Sequence, residues 1–340
     1  MWAVVIGLAV AAYLLWSSFD KKAFEVVNWS FNSFFWLFVA LLMMAIRDLS
    51  YMYRIRVLTD YQISWRHSFD VIMLWEFASA LTPSVVGGSS IAMFIVHKEG
   101  ISFGKSTAVV MVTALLDELF YIIMVPIIIA IVGFSDLFPI SLEKDFFGIR
   151  LGTIGLFVLG YFFILILTSA ILYAVFINPR GFKSFLLFVF KFKWIRRWRY
   201  AAIQTGDDII TTSEELKGKD LNFWLKAFGA TFFSWTARYW VVNFMILAFL
   251  DVSDHFLIYG RQLVMWVIML ISPTPGGSGV AEFAFSGFLG EFTLGLAATF
   301  ALLWRLLSYY PYLFIGSVVL PSWLRRVFVK ESSSKMPKKS

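Results

Sequence analysis

The sequence predicts an all-α polytopic membrane protein, with about six spanning helices plus two re-entrant broken-helix hairpins in an inverted repeat. Three observations carry this reading. Of 340 residues, 60% are apolar and 15% charged, against about 45–50% and about 25% in a soluble globule, so the chain could not cover its apolar surface in water. Most apolar residues gather into runs of roughly 20 or more, long enough to cross a bilayer. Two further apolar stretches are interrupted by proline and paired glycines, which end one helix and start another.

Residues 2–18 form the first run. Met1-Trp2-Ala3 lacks the positive start of a signal peptide and Trp16-Ser17-Ser18-Phe19 is a poor cleavage site, so this run is expected to be a retained helix. Spans follow at 31–53, 107–133, 151–177, 222–250 and 293–321. The first broken stretch, about 69–96, is interrupted at Leu81-Thr82-Pro83-Ser84-Val85-Val86-Gly87-Gly88-Ser89. The second, about 257–291, is interrupted at Ser272-Pro273-Thr274-Pro275-Gly276-Gly277-Ser278-Gly279. Between them the loop 178–220 mixes basic and aromatic residues, as in Lys191-Phe192-Lys193-Trp194-Ile195-Arg196-Arg197-Trp198. That pattern suits a helix lying in the inner headgroup layer. Residues 1–325 make one transmembrane domain, and the basic tail 326–340 is expected to be a disordered cytoplasmic segment.

Lysine and arginine placement decides whether the broken stretches cross the membrane or turn back, because cytoplasmic loops collect both residues. If both turn back, the inner side holds Arg54, Arg56, Arg66, Lys98, Lys105, nine basic residues in 178–220 and six from Arg325 to the end of the tail. The outer side then holds only Lys21, Lys22, Lys144, Arg150 and Arg261. If each crosses once, the same residues divide 12 inside and 13 outside. The re-entrant reading wins, with both termini cytoplasmic in an inner membrane. Three spans separate the hairpins, so they dip from opposite faces. Gly87-Gly88-Ser89 also matches Gly276-Gly277-Ser278 at an offset of 189 residues. Together these describe an inverted-topology repeat whose broken helices meet near the midplane.

Several chemistries are excluded or disfavoured. The chain has no cysteine, and His67, His97 and His255 are scattered, so no metal centre or cofactor is expected. There is no GxxxxGK[ST] phosphate loop. The net charge of +7 points to orientation and anionic headgroups rather than to nucleic acid.

Ionisable residues inside a span are costly and mark polar interiors. Asp117 and Glu118, central in 107–133, are expected to couple protons or to pair with Arg238 or Arg305. Thr113, Asp117 and Tyr121 share one helical face. Arg305, Ser308, Tyr309 and Tyr312 recur at i, i+3, i+4 and i+7 as a stripe lined with donors. Arg238, with Thr231 and Ser234 before it, offers a second such face. Guanidinium groups can grip phosphate with two parallel bonds. Gly87, Gly88 and Ser89, and Gly276, Gly277 and Ser278, would present half-helix N–H groups to an anion, with Ser89 or Ser278 as cap. Glu282 would lie one turn inside the second half-helix and Glu76 before Pro83. Lys226 and the Arg47-Asp48 pair lie nearer helix ends, where snorkelling to the headgroups is expected.

At these residues the sequence resembles the lysylphosphatidylglycerol synthase transmembrane region, or flippase-like domain, family. The family's late motif, roughly P-x-P-G-G-x-G-x-x-E, reads here Pro273-Thr274-Pro275-Gly276-Gly277-Ser278-Gly279-Val280-Ala281-Glu282, followed by Arg305 and Tyr309-Tyr310-Pro311. Its early motif matches Pro83, Gly87-Gly88 and Leu115-Leu116-Asp117, and the resemblance runs from about residue 2 to 325. Many members carry Glu-Arg before Leu-Leu-Asp where this chain has Thr113-Ala114, so contacts made by that pair are not expected here. The soluble aminoacyl-transferase domain of full-length synthases is absent, so no synthesis of lysyl-lipid is expected. The resemblance implies the translocation half of that activity, moving a phosphate-bearing lipid or lipid-linked precursor between leaflets. The alternatives are a polyprenyl-phosphate glycosyltransferase-type membrane enzyme, for which Asp207-Asp208 is the nearest approach to a DxD pair, or a non-transporting scaffold.

Overall fold

The computed structural model describes residues 29–82, 84–139, 144–146, 149–191, 199–270 and 280–334. The expected first span, 2–18, lies outside them. Helix α1 (Phe31–Leu58) opens on a capping box in which Ser30 and Ser33 satisfy each other's backbone N–H. It closes where Asp60 and Tyr61 take left-handed φ of 52° and 58°. Helix α2 (Trp65–Leu81) is capped by Ser64, whose side chain accepts the His67 N–H. It ends because Pro83 forces Thr82 into extended backbone.

Helix α3 (Ser84–Lys98) restarts directly after Pro83, and this corrects the sequence reading. Gly87, Gly88 and Ser89 lie within the helix rather than at its start, so Ser89 is not its N-cap. At Gly88 the missing side chain lets α3 lie directly on Ser79 of α2.

Helix α4 (Phe103–Val132) is capped by Ser102 and stops at Gly133, whose φ is 93°. A two-stranded antiparallel ladder, β1 (Lys144–Phe146) with β2 (Ile149–Leu151), follows. Helix α5 (Thr153–Leu172) loosens into a π turn at Tyr173–Ile177. Asn178 then caps the strongly amphipathic α6 (Pro179–Val189), which packs on α7 (Arg199–Lys217). Helix α8 (Leu221–Leu247), capped by Asp220, packs lengthwise on α1. The second hairpin comprises α9 (His255–Met269) and α10 (Val280–Leu289). Gly276, Gly277 and Ser278 fall outside the described residues. Helices α11 (Ala297–Ser308) and α12 (Tyr310–Ser334) meet at Tyr309. Because α12 continues to Ser334, helix overruns the expected start of a disordered tail at 326.

Among the described residues, four helical stretches are long and apolar enough to cross a membrane: Phe31–Leu58, Phe103–Val132, Thr153–Ile177 and Ala297–Phe328. Helix α8 has the length without the same apolarity. The span expected at 31–53 therefore runs to Leu58, and Arg54 and Arg56 belong to the helix rather than to the loop. Large apolar side chains face outward along α1 (Phe31, Phe34, Phe38) and α5 (Val158, Phe162, Ile166). Exposure on that scale is tolerable in lipid and not in water.

The interior divides into two apolar cores. One gathers α1–α3, the first half of α4 and α12; the other gathers the second half of α4 with α5, α8, α9, α10 and α11. Phe77, Ala80, Leu302, Tyr310 and Leu313 join the end of α2 to α11 and α12.

Ion pairs hold the open end of each hairpin. Arg326 donates to Asp70 of α2 at 2.8 Å and to Glu99, just past α3, at 2.6 Å. Trp323 Nε1 also donates to Glu99, at 2.7 Å. In the second hairpin Arg261 of α9 donates to Phe288 O at 3.2 Å and Asp136 O at 2.8 Å, and pairs with Glu291 at 2.5 Å. Helix α4 starts beside the first set, where Lys105 pairs with Asp60, and ends beside Asp136. At 1.5 Å per residue its 30 residues separate the two sets by about 45 Å. The open ends of the α2–α3 and α9–α10 pairs thus lie at opposite ends of α4.

Candidate functional site

A cavity of about 310 Å³ is lined by residues of both pairs. Helix α1 supplies Tyr51, Arg54 and Ile55; α2 supplies Trp75, Glu76, Ser79 and Ala80; Thr82 and Ser89 flank the proline break. Helix α4 contributes Thr113, Ala114, Asp117, Glu118 and Tyr121, and α8 contributes Trp235 and Arg238. Trp266, Met269 and Leu270 come from the second hairpin with Ala281. Trp304, Arg305, Ser308, Tyr309 and Tyr312 close the wall.

The structure therefore brings together Arg238, Arg305, Ser308, Tyr309, Ser89, Asp117, Glu118 and Glu76 from the sequence-predicted set. Gly88 sits inside α3 against Ser79 and not in the cavity wall, and the surroundings of Gly87 lie outside the description. Glu282 lies on α10, its side chain outside the description, as are Gly276, Gly277 and Ser278.

The charge pairing differs from the expectation. Asp117 pairs with neither Arg238 nor Arg305. It accepts from Arg54 Nη1 at 2.5 Å and from Trp235 Nε1 at 2.7 Å. Arg54 is 5% exposed and also donates to Thr231 Oγ1 at 2.9 Å. Ser234 donates to the Thr231 carbonyl, so both hydroxyls expected beside Arg238 are engaged within the helix packing. The sequence reading assigned Arg54 to a cytoplasmic loop because the apolar run stops at Tyr53. A signal was present nonetheless: Arg47, Tyr51 and Arg54 fall at i, i+4 and i+7 on one helical face.

Arg47 does not snorkel. It is 0% exposed and donates to Glu76 at 2.5 Å, Tyr312 Oη at 2.6 Å and Asp48 at 2.9 Å. The cluster ties α1 to α2 and α12 immediately behind the cavity wall. Tyr309 Oη donates to Ala80 O at 3.0 Å, holding the α11–α12 junction against the first hairpin tip. Lys226, by contrast, is exposed.

The remaining guanidinium groups sit among rings. Arg238 is half-buried between Trp235 and Trp266, its carbon 5.3 and 4.5 Å from the ring centres. No ion pair or hydrogen bond to its guanidinium is found among the described residues. Arg305, 5% exposed, lies 4.7 Å from the Tyr309 ring centre and 5.6 Å from that of Trp304. Stacking on aromatic faces leaves the in-plane N–H fork of Arg238 available to an oxyanion. The tryptophans were not singled out in the sequence, since 14 of them offer no way to tell cavity from lipid. No group of three potential metal ligands occurs among the described residues.

An integral membrane protein of this kind, with two helical hairpins closing on an arginine-bearing cavity, is the class that fold and site define. Within it, the chain belongs to the lysylphosphatidylglycerol synthase TM region family, whose profile matches residues 4–316. It is similar to a UPF0104 membrane protein of Archaeoglobus fulgidus, 25% identical over 359 aligned positions that take in 97% of this chain and 99% of the relative. No solved structure matches the chain.

Proposed function

We propose that the protein is a transporter that moves a phosphate-bearing lipid, or a lipid-linked precursor, between leaflets of an inner membrane in which both termini are cytoplasmic. Its two hairpins are read as re-entrant, one from each face, forming an inverted repeat about the cavity. The observation that carries the proposal is a cavity at the meeting of hairpin tips from opposite ends, with Arg238 and Arg305 in its wall. A charged headgroup crossing bare hydrocarbon meets a desolvation barrier of about 10 kcal/mol or more, which a hydrated, arginine-lined path removes. The acyl or polyprenyl chain stays in lipid. Ser308, Tyr309 and Ser89 line the headgroup site, with the Ser308 and Tyr309 hydroxyls donated to the Trp304 and Ala80 carbonyls, and Arg54 with Asp117 forms its fixed rear wall.

The chain is read as a transporter rather than an enzyme. In support, Asp207 pairs with Lys183, and Asp208 accepts the Gly104 N–H where α7 packs on α4, so both are engaged in helix packing. The test is reconstitution into proteoliposomes with a fluorescent phospholipid whose outer-leaflet population is quenched chemically. Arg238→Ala and Arg305→Ala should each lower the translocation rate at least tenfold while the protein remains folded. Wild-type rates in both variants would overturn the site assignment, and turnover of a sugar nucleotide by the purified chain would overturn the transporter reading.

A further inference from the structure

Among the described residues, the three carboxylates lining the cavity are held very differently. Glu76 is engaged by Arg47. Asp117 is engaged by Arg54 and the Trp235 indole. Glu118, the next residue on α4, is 7% exposed, and its Oε2 is buried with no hydrogen-bond partner among the described residues. Thr113 Oγ1, in the same wall, is likewise buried without a partner.

The other ionisable groups lining the cavity come from every side. They are Tyr51 and Arg54 of α1, Glu76 of α2, Asp117 and Tyr121 of α4, Arg238 of α8, and Arg305, Tyr309 and Tyr312 of α11 and α12. Arg54 is already committed to Asp117, so no lining arginine is shown pairing with Glu118. An ionised Glu118 would lie beside the Asp117 carboxylate with no cation partner among the described residues to offset its charge. An arriving anion adds a further negative charge to the same small volume.

We infer that Glu118 is a proton-loading site of the cavity: a headgroup anion binding beside Arg238 draws one proton from bulk water onto the Glu118 carboxylate, and its departure returns that proton to water. The inference rests on the anionic-headgroup reading above and deepens it by assigning the coupling group. It also separates two adjacent residues that the sequence leaves equivalent, with Asp117 structural and Glu118 titrating. By linkage, anion affinity and proton affinity raise each other, with affinity gaining about tenfold per pH unit of acidification for one proton taken up.

The test is calorimetric titration of the full chain in detergent with dibutyl phosphate, a phosphodiester that does not itself titrate at mildly acidic to mildly alkaline pH. Each titration is run in two buffers of unequal ionisation enthalpy. Toward the alkaline end of that range, where Glu118 is ionised before the anion arrives, wild type should take up as much as one proton per anion and bind more tightly on acidification, whereas Glu118→Gln should bind with no uptake and no pH dependence. Binding by wild type without proton uptake overturns the assignment and leaves the headgroup reading standing. Absence of binding by wild type overturns both. Uptake that persists in a folded Glu118→Gln protein places the proton elsewhere. Should that variant not fold, Glu118→Asp is the second probe. A displaced pH midpoint supports the assignment, and an unchanged one overturns it.

Discussion

Arg47 and Arg54 lie about two helical turns apart on α1, and both are buried. Their depth is set by partners: Asp48, Glu76 and Tyr312 for the first, Asp117 and Thr231 for the second. Removing one member of such a pair leaves a desolvated charge. Arg54→Ala should therefore lower stability by about 3–5 kcal/mol, while Arg54→Met combined with Asp117→Leu should cost less than either change alone. Thermal unfolding in detergent across that double-mutant cycle measures the coupling. Asp60 provides a contrast in the loop after α1. Burial by itself would raise its pKa, but hydrogen bonds from Lys219 and Lys105 outweigh that effect and hold the carboxyl below its usual range. A carboxyl depressed on folding stabilises fully above its unfolded pKa, about 3.9, and that contribution disappears as pH falls through the folded value. Wild type should thus lose melting temperature below about pH 4 more steeply than Asp60→Asn.

At the scale of elements, glycine reports which helices touch. A Cβ at Gly160 of α5 would come within 2.5 Å of the Val267 carbonyl oxygen of α9, a backbone atom that cannot rotate away. Gly160→Ala should destabilise by about 1–3 kcal/mol through overpacking. Gly229 of α8 has open space around it, so Gly229→Ala should be neutral or stabilising by up to about 1 kcal/mol. Melting temperatures of the two variants give the comparison. The proline-glycine stretch teaches the same distinction. Pro83 and the two glycines after it look alike as breakers on paper, but the lost N–H and the restricted Thr82 act on backbone geometry wherever they occur. Gly87 and Gly88 act only through what packs on them, and Ser79 of α2 is what packs on Gly88.

At the scale of the whole molecule, the proposed transport requires that the two hairpins open to opposite sides of the membrane. The sequence contains no cysteine, so single cysteines give an uncomplicated readout of sidedness. Gln62→Cys, exposed near the open end of the first hairpin, and Ser253→Cys, exposed before the second, should react with a membrane-impermeant maleimide from opposite sides of a sealed vesicle. Labelling of both from one side would dismantle the inverted arrangement. Moving Arg54 and Arg56 out of the inner loop leaves the lysine and arginine asymmetry of the expected topology strongly one-sided.

By itself the sequence determined the membrane environment, the course of the long apolar helices, the interruption at Pro83 and the gathering of Asp117, Glu118, Arg238 and Arg305 in otherwise apolar runs. Those are consequences of composition, proline geometry and the cost of charge in hydrocarbon, all of which act along the chain. Only the tertiary structure decided that Asp117 belongs to Arg54, that Arg47 is sealed behind the wall and that Glu118 keeps an oxygen without a partner. Pairing among four cations and four carboxylates depends on distances between helices far apart in sequence, and no local pattern encodes them.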